Sequence, residues 1–278
     1  MSQATVSDAP DYRVEPGFAF PAEEIVVTEA EQRRLHGFCD IPADRYGGFA
    51  DPTFLARRPI LLNTTAIQAY RPTCAPVHIV HRLKLQAPVP LGEALTMTGV
   101  ITDVPEVPRG WVSESRWEYR RADGAPVLTV EPDVMMIDSE RQPEKKDGPR
   151  KPKPPESDEG FETLTRKQCT PETTLGYCEG STNLIHIDPD TAKSYGFRAP
   201  IIAGNQTVNF LLEALALDGL PQALDVEIRF RRPVFWDDAL DIRGRRNGSD
   251  GSLSDIVAVN GDGARVATCA GASVTYSS

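Results

Sequence analysis

The chain has 278 residues, 30 Lys and Arg against 40 Asp and Glu, and a formal net charge of −10. Its hydrophobic share of 40% and charged share of 25% are those of a globular protein, and the length suits about two domains. The acidic balance argues against a nucleic-acid footprint, and no apolar run approaches the ~18–20 residues of a membrane span.

In chain order, the opening MSQATVSDAPDYRVEPGF lacks the apolar centre of a signal peptide and reads as a loose arm. Apolar residues at helical spacing predict a helix over Leu61 to Tyr70. Strand-like runs follow at Val77–Leu85, Ala94–Ile101, Val112–Arg120 and Val127–Ile137, with Asp123-Gly124 placed as a hairpin turn. Residues 143–159 then read PEKKDGPRKPKPPESDE, with five prolines and almost nothing apolar. Such a stretch buries too little surface to offset its ordering entropy, so 143–160 is expected to link two units, 1–142 and 161–278. Beyond it, a helix is predicted over Val208 to Leu217. Strands follow at Val226–Val234, Ala239–Gly244, Ile256–Val259 and Val266–Tyr276, and Asp262-Gly263 is the matching turn.

The two sides repeat. Aligning Pro76–Gly99 with Pro221–Gly244, an offset of 145, gives six identities in 24 positions, among them Pro88/Pro233, Ala94/Ala239 and Gly99/Gly244. Asp123-Gly124-Ala125-x-Val127-x-Thr129 also matches Asp262-Gly263-Ala264-x-Val266-x-Thr268 at an offset of 139. The sequence thus reads as a duplicated α+β unit, one long helix followed by a meander of strands that wraps it.

Five cysteines, odd in number and without a C-x-x-C pair, argue against a disulfide framework or zinc site and for a reduced, cytoplasmic setting. His78 and His81 fall three apart in a strand-like run, which points them to opposite faces and speaks against joint metal binding.

The chemistry concentrates in 177–207, YCEGSTNLIHIDPDTAKSYGFRAPIIAGNQT. Gly180, Asn183, His186, Asp188, Pro189, Ala192, Gly196, Phe197, Pro200, Ile201 and Gly204 follow in the order and spacing of G-D-x-N-P-x-H-x-D, A, G-F and P-I-x-H-G. In this the segment resembles the MaoC-like, R-specific enoyl-CoA hydratases of the hot-dog fold. The likeness covers most of 161–278 and, more loosely, 50–140. It implies a double hot-dog chain whose first repeat, lacking an N-x-x-H, accommodates a substrate tail.

The resemblance implies a hydro-lyase of fatty acid metabolism that interconverts 2-enoyl-CoA and 3-hydroxyacyl-CoA. Coenzyme A would enter only as part of the substrate, with no metal or other cofactor, and the chain would form a homodimer. His186 takes the place of the family's catalytic histidine and would move protons. Gly204, with Ile202 and Ala203 before it, would meet the substrate, its N–H facing the thioester oxygen. Two positions depart from the pattern: the catalytic Asp falls on Ser181, and the His of P-I-x-H-G falls on Ala203. Ser181 can bind water but cannot serve as a resting general base. Asn183 either holds the loop or orients water, and Glu179 is a possible substitute carboxylate. Ser181 activated by His186 is a candidate nucleophile and Cys178 a weaker one, and Asp188 before Pro189 fits a helix N-cap. Isomerisation, thioester hydrolysis and non-catalytic acyl-CoA binding are the alternative functions.

Overall fold

The computed structural model describes residues 11–138, 140–141, 157–248 and 251–276, so most of the expected linker lies outside the described residues. The first unit runs β1 (Ala19–Val26), α1 (Glu29–Cys39), α2 (Pro52–Tyr70), β2 (Cys74–Leu85), β3 (Ala94–Asp103), β4 (Glu106–Val107), β5 (Gly110–Arg120) and β6 (Pro126–Asp138). The second runs β7 (Phe161–Gln168), α3 (Pro171–Tyr177), a 3-10 turn (Leu184–His186), α4 (Pro189–Ser194) and α5 (Gly204–Leu215). It ends with β8 (Pro221–Phe230), β9 (Ala239–Arg246), β10 (Leu253–Asn260), β11 (Arg265–Ala270) and β12 (Ser273–Tyr276).

All twelve strands join one sheet in the order β1-β3-β5-β6-β2-β8-β11-β10-β9-β7, with β4 on β5 and β12 on β8. The units meet where β2 and β8 pair antiparallel, from Val80↔Arg229 to Leu85↔Leu224. The repeat is visible in the architecture. β3 and β9 both begin at the aligned alanines, Ala94 and Ala239. Both Asp-Gly turns close alike, with Gly124 N–H donating to Arg121 O and Gly263 N–H to Asn260 O. Gly99 and Gly244 are matched for a packing reason: a Cβ on Gly99 would fall 2.2 Å from the Trp117 ring, and one on Gly244 2.6 Å from Leu164 and Leu253.

Several expectations need correction. The opening segment is not loose from its first described residues onward: Val14 is buried, and Tyr12, Phe18 and Phe20 form a ring cluster that reaches Trp117. Helix α2 begins nine residues before the predicted start, at Pro52, with Asp51 as its N-cap. Pro59 lies inside it and hid this first half, because proline removes a helical hydrogen bond. The single strand expected over Val266–Tyr276 is two strands, broken at Gly271, whose φ of 66° suits glycine.

Helix α5 is enclosed by the sheet, α1 and α2, and every residue from Asn205 to Leu215 is buried. Its polar side chains therefore need internal partners. Asn205 Nδ2 donates to Thr53 O at 2.9 Å, Gln206 Nε2 to Phe38 O at 3.1 Å and Asn209 Nδ2 to Asp51 Oδ2 at 3.0 Å. Glu213 pairs with Lys167 at 2.7 Å, both buried. The bonds to Thr53, Phe38 and Asp51 fix α5, and hence its N-terminus, against the first unit.

Candidate active site

Between the two units lies a cavity of about 320 Å³. The second unit contributes Asn183, His186, Ile201, Ile202, Ala203 and Gly204 at its inner wall. The first contributes Ile60 and Thr64 from α2, His78 from β2, and Val134, Met135 and Ile137 from β6. Apolar side chains dominate the wall, Arg109, Arg231 and Arg232 stand exposed at its edge, and no Asp or Glu is among the lining residues.

The motif folds into this wall for local reasons. Thr170 caps α3 through a reciprocal pair with Thr173. Asp188 caps α4, accepting from Thr191 N–H at 3.0 Å with Pro189 at N1, as its sequence context predicts. The 3-10 turn between them projects His186 inward. There its Nδ1–H donates to Ile201 O at 2.8 Å, a bond that fixes the tautomer because a carbonyl only accepts. Nε2 therefore carries the lone pair. Asn183 Nδ2 donates to it at 3.2 Å and to Pro76 O of β2 at 3.0 Å. Asn183 thus orients the imidazole and ties the loop to the first unit. Burial pushes the His186 imidazole down to about 4, partly offset by the bond to Ile201 O, so the ring is neutral at pH 7.

Ala203 is the N-cap residue of α5 and offers no side-chain cap. The helix N-terminus, with its partial positive charge, opens at Gly204 beside the cavity. Gly204 is required by its neighbour: a Cβ there would lie 2.8 Å from His78 Nδ1 and 2.9 Å from His78 Cβ. A bulky residue at 204 would thus displace His78 before it obstructed any ligand.

The structure brings Asn183, His186, Ile202, Ala203 and Gly204 together and leaves Ser181 out. Ser181 does not line the cavity, and its Oγ accepts from Asn183 N–H at 3.2 Å. Glu179 is exposed and paired with Arg34 at 2.5 Å, so it brings no carboxylate to the site. The Cys178 thiol is buried and pushed up to about 12 by that burial, which keeps it protonated. Because position 181 faces the loop backbone, Ser181→Asp should leave turnover unchanged. It should not produce the ~10²–10⁴-fold rise that a positioned base contributes. Steady-state kinetics on one thioester panel check this, and a large gain would show that position 181 reaches the reacting atoms.

Sequence reasoning missed His78. The spacing sets His78 and His81 on opposite faces, yet their rings lie 5.1 Å apart. A bulge in β2 at Ile79, where the pairing passes from His78↔Val134 to Val80↔Asp133, resets the alternation. No residue type marks that bulge. Among the described residues, no group of three or more His, Cys, Asp or Glu is arranged to hold a metal ion.

Residues 153–265 match the family model described as a MaoC like domain. No curated protein sequence matches the chain. Among solved structures, HtdX (Rv0241c) of Mycobacterium tuberculosis shares 18% identity at a TM-score of 0.68, over 91% of this chain and 98% of that one. A MaoC-like dehydratase from Phytophthora capsici shares 18% identity at 0.66, over 95% and 96%. Rv0216 of M. tuberculosis, a double hot-dog protein, shares 14% at 0.63, over 94% and 96%. With a wall built from both units, the chain has the double hot-dog fold, and its residues 153–265 match the model of the MaoC like domain.

Proposed function

We propose that the chain adds water to a 2-enoyl thioester, and removes it from the 3-hydroxyacyl thioester, at the cavity between its two units. The observation that carries this reading is a neutral imidazole with its lone pair on Nε2, held in an apolar cavity beside the uncapped N-terminus of α5.

Hydration needs a base for water, a donor for the thioester oxygen and a proton for the α-carbon. Water's oxygen bonds to the β-carbon as His186 Nε2 takes one of its protons. The C=C pair moves toward the carbonyl, and charge grows on the thioester oxygen facing the α5 N-terminus. The His186 imidazolium then returns the proton to the α-carbon, so one group serves as base and then acid. That growing charge favours the imidazolium, in the direction opposite to burial. The water must displace the Asn183 amide hydrogen at Nε2, and the 3.2 Å length of that bond makes it a modest competitor. Ser181 supports this arrangement at one remove, by accepting the Asn183 N–H. The apolar wall from Ile60 to Phe230 suits an acyl chain, and Arg109, Arg231 and Arg232 at the edge suit the phosphates of an acyl carrier such as coenzyme A.

The reading sets a pH profile. Nε2 must be unprotonated in the free protein, and His186 is held down to about 4. Hydration kcat/KM should therefore stay flat through neutral pH and fall only as acid approaches that value. An acid limb centred near the ordinary histidine value would contradict it. The identifying experiment is a panel of short, long and cyclic 2-enoyl-CoAs, followed by loss of enoyl absorbance and by appearance of free thiol. Hydration removes the absorbance and releases no thiol. Thiol release without loss of the enoyl group would instead mark a thioesterase.

A further inference from the structure

Resting on the thioester reading above, we propose that the hydroxyls of Thr64 and Thr207 bind an oxygen carried by the acyl chain, so that the substrate is a hydroxy- or oxo-substituted enoyl thioester rather than a plain hydrocarbon one. Both threonines line the cavity, Thr64 from α2 of the first unit and Thr207 from α5 of the second. Thr64 follows Ile60 by one turn, and Thr207 follows Gly204 by three residues, so each shares a helix face with another residue of the wall.

Three observations support the assignment. First, the two residues are more than nine-tenths buried, at 6% and 1% exposure, yet neither hydroxyl has a hydrogen-bond partner among the described residues. A helical threonine can bond the carbonyl one turn back, as Thr65 does to Leu61 O at 2.9 Å, and these two do not. Second, the hydroxyls are open to the cavity. Those of Thr53 and Thr174, also unpaired, are sealed inside the protein, whereas those of Thr64 and Thr207 are not, and both residues stand on the wall. Third, the wall's other uncharged polar side chains are engaged or hidden. Asn183 and His186 are bonded to each other at the reacting end, and both ring nitrogens of His78 are sealed.

A ligand that fills the cavity strips these hydroxyls of water. A hydrocarbon chain gives nothing back and leaves them unsatisfied, whereas a hydroxyl or oxo group on the chain restores a bond, because a threonine hydroxyl both donates and accepts. An apolar wall with a few placed polar groups is how small-molecule sites set specificity. The recognised oxygen is distinct from the one that the reaction adds, which arrives at the β-carbon beside His186 Nε2. Along α5 three residues advance about 4.5 Å, which carries Thr207 away from the helix N-terminus and the thioester. The recognised oxygen therefore lies farther along the acyl chain. No bond to either threonine's own atoms forms or breaks.

The test uses the full chain and a double variant, Thr64→Val with Thr207→Val, which exchanges each hydroxyl for a methyl group of similar size. Calorimetric titration compares octanoyl-CoA with 3-hydroxyoctanoyl-CoA and with hydroxy and oxo forms substituted at each carbon from the fourth to the seventh. The wild type should bind at least one form substituted beyond the β-carbon about 10–100-fold more tightly than octanoyl-CoA, and the double variant should lose that preference. Because neither hydroxyl has an internal partner, the Tm of the double variant should not fall. Equal affinity for plain and substituted chains, a preference confined to 3-hydroxyoctanoyl-CoA, or a preference that survives in the double variant overturns the assignment. A Tm well below that of the wild type would give the hydroxyls a structural role and overturns it too. The hydratase reading is judged separately. A preference shown by a wild type that hydrates no enoyl-CoA retains the recognised oxygen and overturns the hydratase reading, and hydration of plain chains without any preference does the reverse. A wild type that binds no acyl-CoA overturns both.

Discussion

His186→Ala should lower hydration of an enoyl-CoA by about 10²–10⁴-fold in kcat while acyl-CoA binding persists. The size follows from the site's composition: no lining carboxylate is present to take over, and Nε2 of His186 is the lone pair that the Ile201 and Asn183 bonds orient. The substitution also removes the partner of Asn183 Nδ2, but that nitrogen keeps its bond to Pro76 O, so the loop should hold. Under the proposed function, binding relies on the apolar wall and the α5 N-terminus, neither of which the substitution changes. The check pairs steady-state hydration with titration of a saturated acyl-CoA. Full activity in a folded His186→Ala protein would remove His186 from the mechanism.

The second large effect is on stability. Asp51→Ala should destabilise the fold by about 3–5 kcal/mol, from the loss of a helix cap and of the acceptor for several buried donors. Asp51 is fully buried and serves three helices. Its Oδ1 accepts from Thr53 N–H at 2.8 Å and caps α2. Its Oδ2 accepts from Asn209 Nδ2 of α5 at 3.0 Å and lies 3.2 Å from His36 Nε2 of α1. Its backbone N–H donates to Gln32 Oε1 at 2.7 Å, and Asn209 Oδ1 in turn accepts from Tyr177 OH at 2.7 Å. Alanine would leave His36 and Asn209 with unpaired buried donors and remove the cap. At ~2–4 °C per kcal/mol for a protein of this size class, Tm should fall by roughly 6–20 °C. Melting followed by circular dichroism checks it, and a Tm equal to that of the wild type would contradict the account.

This cluster occupies the place in the first unit that the cavity's inner wall occupies in the second. Asp51 is the N-cap residue of α2, as Ala203 is of α5. Where the second unit leaves the helix N-terminus open beside a cavity, the first fills it with His36, Asp51 and the stacked ring of Tyr46. The duplicated fold thus keeps one open site and one closed one.

Much of this was legible in sequence. The strands repeat at a fixed offset where Gly99 and Gly244 answer the same packing demand, and the turns repeat because Gly124 and Gly263 both take a positive φ. The motif also places Asn183, His186 and Gly204, since their spacing fixes them on one local turn and helix start. The first half of α2 was obscured by Pro59, although the Asp51-Pro52 pair is the same start signal that marks α4 at Asp188-Pro189. What escaped depends on tertiary pairing. His78 and Thr64 enter the site only because β2 pairs with β8 and α2 lies beside α5, and His78 turns inward through a bulge that no residue announces. Ser181 illustrates the converse: it aligns with a catalytic position, yet its hydroxyl is engaged by the Asn183 backbone.

The most direct measurement is the fate of solvent oxygen when the wild-type chain meets an enoyl-CoA in heavy-oxygen water. The account predicts a 3-hydroxyacyl-CoA carrying one heavy oxygen at its β-carbon, with the thioester intact and no free thiol. Heavy oxygen found in a released carboxylate beside free coenzyme A, or enoyl-CoA recovered unchanged, would contradict it.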